Sequence, residues 1–358
     1  MRAAPEAAAL LDDPQALARA DPRGMLEVVA GSGRQLLEGL AAGRAAGVVP
    51  PPDLRSVVVC GMGGSAAAGD LARSALGAEL PVPLAVVRGY VLPGFCGPGT
   101  LVLAVSHSGD TEETLAAYDD ALRRGCRVAA VSAGGELARR AERDGVPRAS
   151  VPGADLMPRS AVGYLAGAVL GVLEQAGLAS GAGPALERTA ATLEALARDL
   201  GPERPAEENE AKSLALWLMG GTPLVWGSEG VAEGPAMRWK TQLNENAKVP
   251  AFHAVLPELD HNEVEGWHPG AGAGYRAVVL RHPGEHPRVA ARVEATLASL
   301  EGSGLAFRAV QAVGDTPLEW VFSLVLKGDF ASTYLALARG VDPTPAPVLA
   351  ALKERLRR

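Results

Sequence analysis

Three hydroxyl side chains surround Gly109 in a short polar segment: those of Ser106, Ser108 and Thr111. The apolar run at 101–104 precedes this segment and predicts a buried strand, and helix-forming residues follow it. Backbone N–H groups at the start of a helix are unpaired, and the helix dipole favours an anion there. Three added hydroxyl groups around a glycine favour a phosphate-binding turn over the ordinary helix cap that a single hydroxyl would indicate.

A second glycine-rich turn, at 61–65, also lies between a predicted strand and a predicted helix. Both turns come at the carboxyl ends of strands. In doubly wound parallel sheets, ligands bind at the carboxyl ends of the strands, so the two turns can face one pocket.

The 61–65 turn also fits the relaxed dinucleotide fingerprint, with Gly61, Gly63 and Ala66 in the small-residue positions. The acidic residue expected about twenty positions further on is missing, and Arg88 stands near that place. Because an arginine can bind a 2′-phosphate, a phosphorylated dinucleotide is the alternative ligand.

Charged residues suited to proton chemistry lie in three further segments. Arg159 opens a predicted helix and could stabilise a developing negative charge beside a phosphate, or could simply be solvated. Glu245 ends another predicted helix and could be a general base, with His261 as its acid–base partner. The alternative for both is a solvated loop.

A metal site is another interpretation of the segment around His261. The potential ligands are His261, Glu263, Glu265 and His268, but their spacing matches no zinc signature and a helix would splay them apart. Hydrolysis by a serine–histidine–aspartate triad would need a nucleophile-elbow sequence, and we find none in this chain. We therefore expect neither a metal nor another cofactor.

The composition limits the class of protein. A chain of 358 residues with 48% hydrophobic residues can form two domains with substantial cores. The net charge of −7 argues against a nucleic-acid or anionic-membrane surface. We find no signal-peptide pattern and expect no membrane-spanning run. The three cysteines lack metal-ligand spacing. Cys60 and Cys126 lie in apolar runs that predict buried thiols, which suits the reducing cytoplasm.

Strands and helices alternate through most of the chain. Residues 1–50 are Ala-rich with a helical pattern, and from 56 to 151 continuous apolar strands alternate with helices. This alternation predicts a parallel sheet with helices on both faces. Two helices are predicted over 158–200, broken near 182–184, and a second series begins at Glu207. The predicted strands are 56–60, 82–88, 101–106, 127–132, 148–151, 224–226, 275–280 and 306–312.

The two series look like a diverged duplication. Gly61 and Gly64 match Gly227 and Gly230 at one common offset. In the second series, the positions opposite the three hydroxyl groups of the 106–111 turn carry none. We therefore expect one phosphate site per chain, in the first half.

Several segments together resemble one family. The 106–114 segment is similar to the signature of sugar isomerase (SIS) domains. Four other segments, taken with it, resemble the bifunctional phosphoglucose/phosphomannose isomerases of archaea and some bacteria: 61–65, 158–160, 244–250 and 258–263. The resemblance implies an α/β fold with this organisation: an N-terminal helical segment at 1–50, then two SIS-type α/β/α sandwiches with doubly wound parallel sheets at 51–202 and 203–358, the second ending in a helix.

The resemblance also implies residue roles in metal-independent aldose–ketose isomerisation of a hexose 6-phosphate. It places the sugar phosphate on five residues: Gly64, Ser65, Ser106, Ser108 and Thr111. Glu245 would move a proton between C2 and C1, and Arg159 would stabilise the cis-enediolate. His261 would assist ring opening from the neighbouring subunit of a homodimer, and Lys353 would lie near the ring oxygen.

Two residues depart from the SIS signature. His107 and Asp110 stand where Tyr and Asn are more common, and Asp110 would repel a phosphate unless it caps a helix. The first fifty residues exceed the compact form of the family and receive no role. Two other functions stay open: a non-catalytic sensor of a sugar phosphate, and an amino-sugar isomerase or transferase.

Overall fold

The computed structural model describes residues 3–356, which form two parallel sheets and the helices around them. Four helices precede the first strand: α1 (Ala4–Leu11), α2 (Pro14–Ala20), α3 (Met25–Ala30) and α4 (Ser32–Ala45). They agree with the helical pattern of residues 1–50.

The first sheet has five parallel strands in the order β2-β1-β3-β4-β5. The strands are β1 (Ser56–Cys60), β2 (Leu84–Val87), β3 (Thr100–Val105), β4 (Arg127–Ser132) and β5 (Arg148–Ser150). Every residue of β1 and β3 is buried, because helices cover both faces of the sheet. The helices of this half are α5 (Gly64–Leu76), α6 (Glu112–Arg123), α7 (Gly135–Asp144), α8 (Val162–Gln175) and α9 (Ala182–Asp199), with a 3-10 helix at Pro158–Ala161.

The second sheet has four parallel strands in the order β7-β6-β8-β9. The strands are β6 (Thr222–Ser228), β7 (Phe252–Leu256), β8 (Tyr275–Arg281) and β9 (Ala306–Gln311). The helices of this half are α10 (Glu210–Leu218), α11 (Glu233–Glu245), α12 (Pro287–Ser299), α13 (Pro317–Ala338) and α14 (Pro347–Leu356), with 3-10 helices at Glu258–His261 and Glu263–Gly266.

The strand orders of the two sheets correspond. β1 lies between β2 and β3, and β6 lies between β7 and β8, so each half begins with its inner strand. β4 and β9 occupy equivalent places, and β5 has no counterpart. This shared order supports the duplication that the glycine spacing predicts.

Two local predictions are wrong. The sequence pattern predicts no strand at 252–256, where β7 forms; an edge strand has one neighbour and needs no continuous apolar run, and Phe252 is 56% exposed. The break predicted at 182–184 lies in the first turn of α9, where Pro184 removes no hydrogen bond. The two helices are separated at 176–181 instead.

α13 is long and apolar enough to cross a membrane by length and composition, contrary to the sequence expectation that no such run exists. Within the described part of the chain it is the one helix that meets this test, and its apolar window is completely buried inside the protein. α13 is therefore the central core helix of the second half, against which α10 and α11 pack.

The backbones of α4 and α8 lie in direct contact. A Cβ added at Gly39 would lie 2.2 Å from the Tyr164 carbonyl oxygen, and one at Gly167 would lie 2.2 Å from the Leu36 carbonyl oxygen. Glycine permits this approach because it carries no side chain. α4 thus belongs to the core around α8, which gives the N-terminal segment a structural role.

We expect Gly39→Ala to lower the free energy of unfolding by about 1–3 kcal/mol, because the added methyl group has no space between the two helices. Gly94→Ala is the matched control, since nothing lies within 4 Å of a Cβ at that position. Urea unfolding of both variants gives the comparison. Equal midpoints for the two variants would contradict the close contact of α4 and α8.

Candidate functional site

The two glycine-rich turns lie side by side at the carboxyl edge of the first sheet. β1 and β3 are paired neighbours, with Cys60 opposite Ala104, so the turns that follow them emerge together. The His107 backbone N–H donates a hydrogen bond to Ser65 Oγ across the two turns, at 3.2 Å. The turns therefore meet, as their positions after adjacent strands predict.

Hydroxyl groups hold the 106–111 turn in shape. Ser106 Oγ donates to Thr111 Oγ1 at 3.0 Å and accepts from the Gly109 N–H at 3.1 Å. Ser106 is fully buried, whereas Ser108 is exposed and Thr111 is half-buried. Ser106 thus sets the shape of the turn, while Ser108 and Thr111 are accessible to a ligand.

Two glycines bring neighbouring backbone segments against these turns. Gly109 has φ +77°, and a Cβ there would lie 1.9 Å from the Gly134 carbonyl oxygen. A Cβ at Gly64 would lie 2.7 Å from the Pro158 carbonyl oxygen. Gly64 therefore allows the start of α5 to contact the 3-10 helix that carries Arg159.

Arg159 is buried, with 2% of its surface exposed, and most of its donors are engaged. Nε donates to Asn246 Oδ1 at 2.8 Å, and Nη2 donates to the carbonyl oxygens of Pro343 and Thr344 at 2.7 and 2.6 Å. Nη1 lies 3.6 Å from Glu245 Oε2. The guanidinium group is thus held in place with one amino group directed at Glu245.

A second buried arginine, Arg238, contacts the backbone of Arg159. Arg238 Nη2 donates to the Arg159 carbonyl oxygen at 2.7 Å, and its Nη2 and Nε both donate to the Asp329 carboxylate. Burial raises the pKa of Asp329, and the charge of Arg238 opposes this shift. Burial likewise lowers the pKa of Arg159, and the Glu245 carboxylate opposes that shift.

Glu245 reaches this site from the second half of the chain. α11 begins after the carboxyl end of β6 and ends at Glu245, shortly before β7 starts. Because β6 and β7 are parallel, Glu245 lies at the amino edge of the second sheet. The Arg159–Glu245 pair therefore marks where the carboxyl edge of the first sheet meets the amino edge of the second.

His261 and Lys353 are not brought to this pair. His261 follows β7 and lies at the carboxyl edge of the second sheet, whereas α11, about 20 Å long, carries Glu245 to the opposite edge. Both His261 and Lys353 are exposed. Within residues 3–356, neither forms a hydrogen bond or ion pair with Glu245 or Arg159.

Comparisons with known proteins find relatives that cover most of the chain. Residues 207–356 match the family model described as the bacterial phospho-glucose isomerase C-terminal SIS domain. A bifunctional phosphoglucose/phosphomannose isomerase of Caldicellulosiruptor bescii is 38% identical to this chain, over 86% of this chain and 91% of the relative. The chain belongs to the bifunctional phosphoglucose/phosphomannose isomerase family.

Another phosphoglucose/phosphomannose isomerase, from Aquifex aeolicus, is 32% identical over 85% of this chain and 91% of its own. A solved hypothetical protein from Thermus thermophilus aligns with a TM-score of 0.74 and 19% identity, covering 99% of this chain and 94% of that one, which shows the fold. Membership in the phosphoglucose/phosphomannose isomerase family confirms the predicted SIS fold and the enzyme class, an intramolecular oxidoreductase.

The residues that would bind a dinucleotide 2′-phosphate or a metal ion are paired with other groups or lie apart. Arg88 forms an ion pair with Asp70, so its charge is already balanced and does not favour a 2′-phosphate. In the part of the chain that the structure describes, the candidate ligands of the 261–268 segment do not gather into a group that could hold a metal ion.

The structure shows the surroundings of the two departures from the SIS signature. Asp110 Oδ1 accepts from the Glu136 N–H at 2.9 Å, so Asp110 caps the start of α7. His107 is buried, and burial lowers the pKa of its imidazole. Asp110 thus caps α7 and not α6, the helix that follows its own turn and for which the sequence predicts the capping role.

Sequence reasoning misses two contacts at the site. Asn246 accepts the Arg159 Nε–H, and Lys248 Nζ donates to the Glu245 carbonyl oxygen. Both residues lie in the 244–250 segment, whose dense polarity between apolar elements is the signal that could have found them.

We expect Asp110→Ala to lower the free energy of unfolding by about 1 kcal/mol, because the Glu136 N–H loses its acceptor. Asp110→Asn is the control, since an asparagine side chain also accepts at a helix start. Thermal unfolding measures both. A loss of the same size in Asp110→Asn would show that charge, not capping, is what Asp110 supplies.

Proposed function

We propose that the chain interconverts fructose 6-phosphate with glucose 6-phosphate, mannose 6-phosphate or both. The observation that carries the proposal is the Arg159–Glu245 pair, with 3.6 Å between Nη1 and Oε2, beside two hydroxyl-bearing turns. A carboxylate next to a buried cation suits proton removal from carbon, because the cation stabilises the negative charge that results. The family relatives carry this activity in their names.

The two turns would hold the sugar phosphate. Ser108 and Thr111 offer accessible hydroxyl donors. Gly64 and Ser65 stand at the start of α5, where the helix dipole favours an anion. The Ser65 N–H donates to the Met62 carbonyl oxygen, so Ser65 would contribute its hydroxyl group. Ser106 keeps the first turn in shape. Binding energy from the remote phosphate would position C1 and C2 beside Glu245.

In the aldose-to-ketose direction, Glu245 would take the proton from C2, and the electron pair would form the C1–C2 double bond of a cis-enediolate. Arg159 would stabilise the negative oxygen. Glu245 would then return the proton to C1, while the proton of the C2 hydroxyl passes to the oxygen on C1 and the oxygen on C2 becomes the carbonyl. Because Arg159 supplies the positive charge, we propose that the reaction needs no metal. Glucose and mannose phosphates share this enediolate.

Ring opening would use His261 of a second copy of the chain. His261 and Glu245 of one chain lie at opposite edges of the second sheet, so a homodimer that sets the carboxyl edge of one copy against the site of the other would unite them. Lys353, on the exposed helix α14, would act near the ring oxygen. We place the enzyme in the cytoplasm, where its three buried free thiols would stay reduced.

A coupled assay tests the function directly. Fructose 6-phosphate is supplied, and glucose 6-phosphate and mannose 6-phosphate are followed separately, with and without a chelator. Binding without turnover of either product would favour the sugar-phosphate sensor. Turnover of glucosamine 6-phosphate alone would favour the amino-sugar enzyme, and loss of activity in the chelator would contradict a metal-independent reaction.

We expect Glu245→Gln to reduce turnover by about 10³-fold or more, because the amide cannot take the C2 proton. The dissociation constant of fructose 6-phosphate should stay within about threefold of wild type, since the phosphate turns lie on other elements. Stopped assays and calorimetry measure the two quantities. Near wild-type turnover would remove Glu245 from the mechanism.

Mixing two inactive variants tests the shared site. We expect Glu245→Gln and His261→Ala to be inactive alone, and their mixture, after unfolding and refolding together, to recover about a quarter of wild-type activity. About half of the dimers would then be mixed, each with one complete site. If both residues acted within one chain, the mixture would stay inactive.

A further inference from the structure

Lys248 stands in an unusual backbone conformation three residues after Glu245. Its φ is +55°, and it is the one residue other than glycine with positive φ among residues 3–356. Side chains rarely adopt this conformation, and such strain persists where the surrounding contacts over-determine it. The contacts that hold Lys248 therefore indicate what its side chain does.

The Lys248 ammonium group joins two elements of the site. Nζ donates to the carbonyl oxygen of Glu245, which lies at the end of α11 and lacks a partner within the helix. Nζ also donates to the Pro343 carbonyl oxygen at 3.3 Å. That same oxygen accepts from Arg159 Nη2 at 2.7 Å, so Lys248 and Arg159 hold one carbonyl between them.

These bonds close a ring around the Arg159–Glu245 pair. From Glu245, the ring passes through Lys248 to Pro343 and from there to the guanidinium of Arg159, whose free amino group faces the Glu245 carboxylate. Lys248 is half-buried, and burial lowers its pKa with a further contribution from the charge of Arg159. Asp342 and Glu245 oppose this shift.

We propose that Lys248 is a positioning residue, which fixes the backbone of Glu245 relative to Arg159 so that the carboxylate meets C1 and C2 of the bound sugar. This inference rests on the proposed function, because it assigns Lys248 a task in the reaction of Glu245. The same bonds fix the segment around Pro343, which leads into α14 and Lys353. Lys248 thus links the proposed base to the element that carries another proposed catalytic group.

The first experiment compares Lys248→Met with Lys248→Arg. Methionine fills similar space without donors, and we expect kcat to fall by about 10- to 100-fold, because a base displaced by about 1 Å loses its alignment. KM for fructose 6-phosphate should stay within about threefold, since the phosphate turns are untouched. Arginine can donate to both carbonyls and should restore most of kcat. Lys240→Met, on α11, is the matched control, and it should keep wild-type kcat.

The second experiment compares Lys248→Gly with Lys248→Ala. Both remove the ammonium group, but glycine accepts φ +55° without strain and should give the higher melting temperature. If Lys248 acts by positioning Glu245, the two variants have equally low kcat despite their different stabilities. If activity follows stability instead, so that the glycine variant is clearly the more active, Lys248 is only structural and the proposal is overturned.

The outcomes separate this inference from the proposed function. Wild-type kcat in folded Lys248→Met, alongside an active wild-type enzyme and an inactive Glu245→Gln, overturns the role of Lys248 alone. The role of Lys248 is also overturned if kcat is unchanged while KM rises and kcat/KM falls by the same factor. Lys248 would then support substrate binding. Absence of isomerase activity in the wild-type chain overturns the proposed function and the role of Lys248 with it.

Discussion

The burial of the Arg159 guanidinium group is the constraint on which the arrangement of the two halves depends. A buried cation is costly unless its donors are satisfied. The first half carries Arg159, but its acceptors belong to the second half: the Asn246 side chain at the end of α11 and the carbonyls of Pro343 and Thr344 after α13. Satisfying this one side chain therefore fixes the carboxyl edge of one sheet against the amino edge of the other.

The equivalent edges of the two halves carry different side chains. In the second half, the side chains at the equivalent edge contact each other: Ser228 Oγ lies 3.3 Å from His282 Nε2, and Arg281 is paired with Glu285 and Glu294. That edge has no hydroxyl cradle. The second half contributes its opposite edge to the site, where α11 ends, so the two copies of one fold supply different chemistry.

Sequence patterns predict what is local and fail where contacts join distant residues. The buried strands follow from apolar runs in the sequence. The glycine turns follow from residues such as Gly109, because glycine adopts a positive φ without the steric strain of a side chain. The bond from Arg159 to Asn246 joins residues 87 positions apart, and no spacing within either segment announces it. The apolar residues Leu36 and Leu40 of α4 predict a buried face, and both are buried. The direct backbone contact of α4 with α8 escapes prediction, because it depends on glycines that meet only in the folded chain. The strained conformation of Lys248 is visible only in three dimensions.

Two buried arginines lie side by side here in different electrostatic surroundings. Arg238 donates twice to the Asp329 carboxylate, which balances its charge. Arg159 donates to neutral oxygens, those of Asn246 and two backbone carbonyls, which orient a cation without cancelling its charge. Arg159 Nη1 lies 3.6 Å from Glu245 Oε2, which makes an ion pair without a direct hydrogen bond. In the proposed reaction, this guanidinium group would stabilise the negative charge that forms when Glu245 takes a proton from carbon.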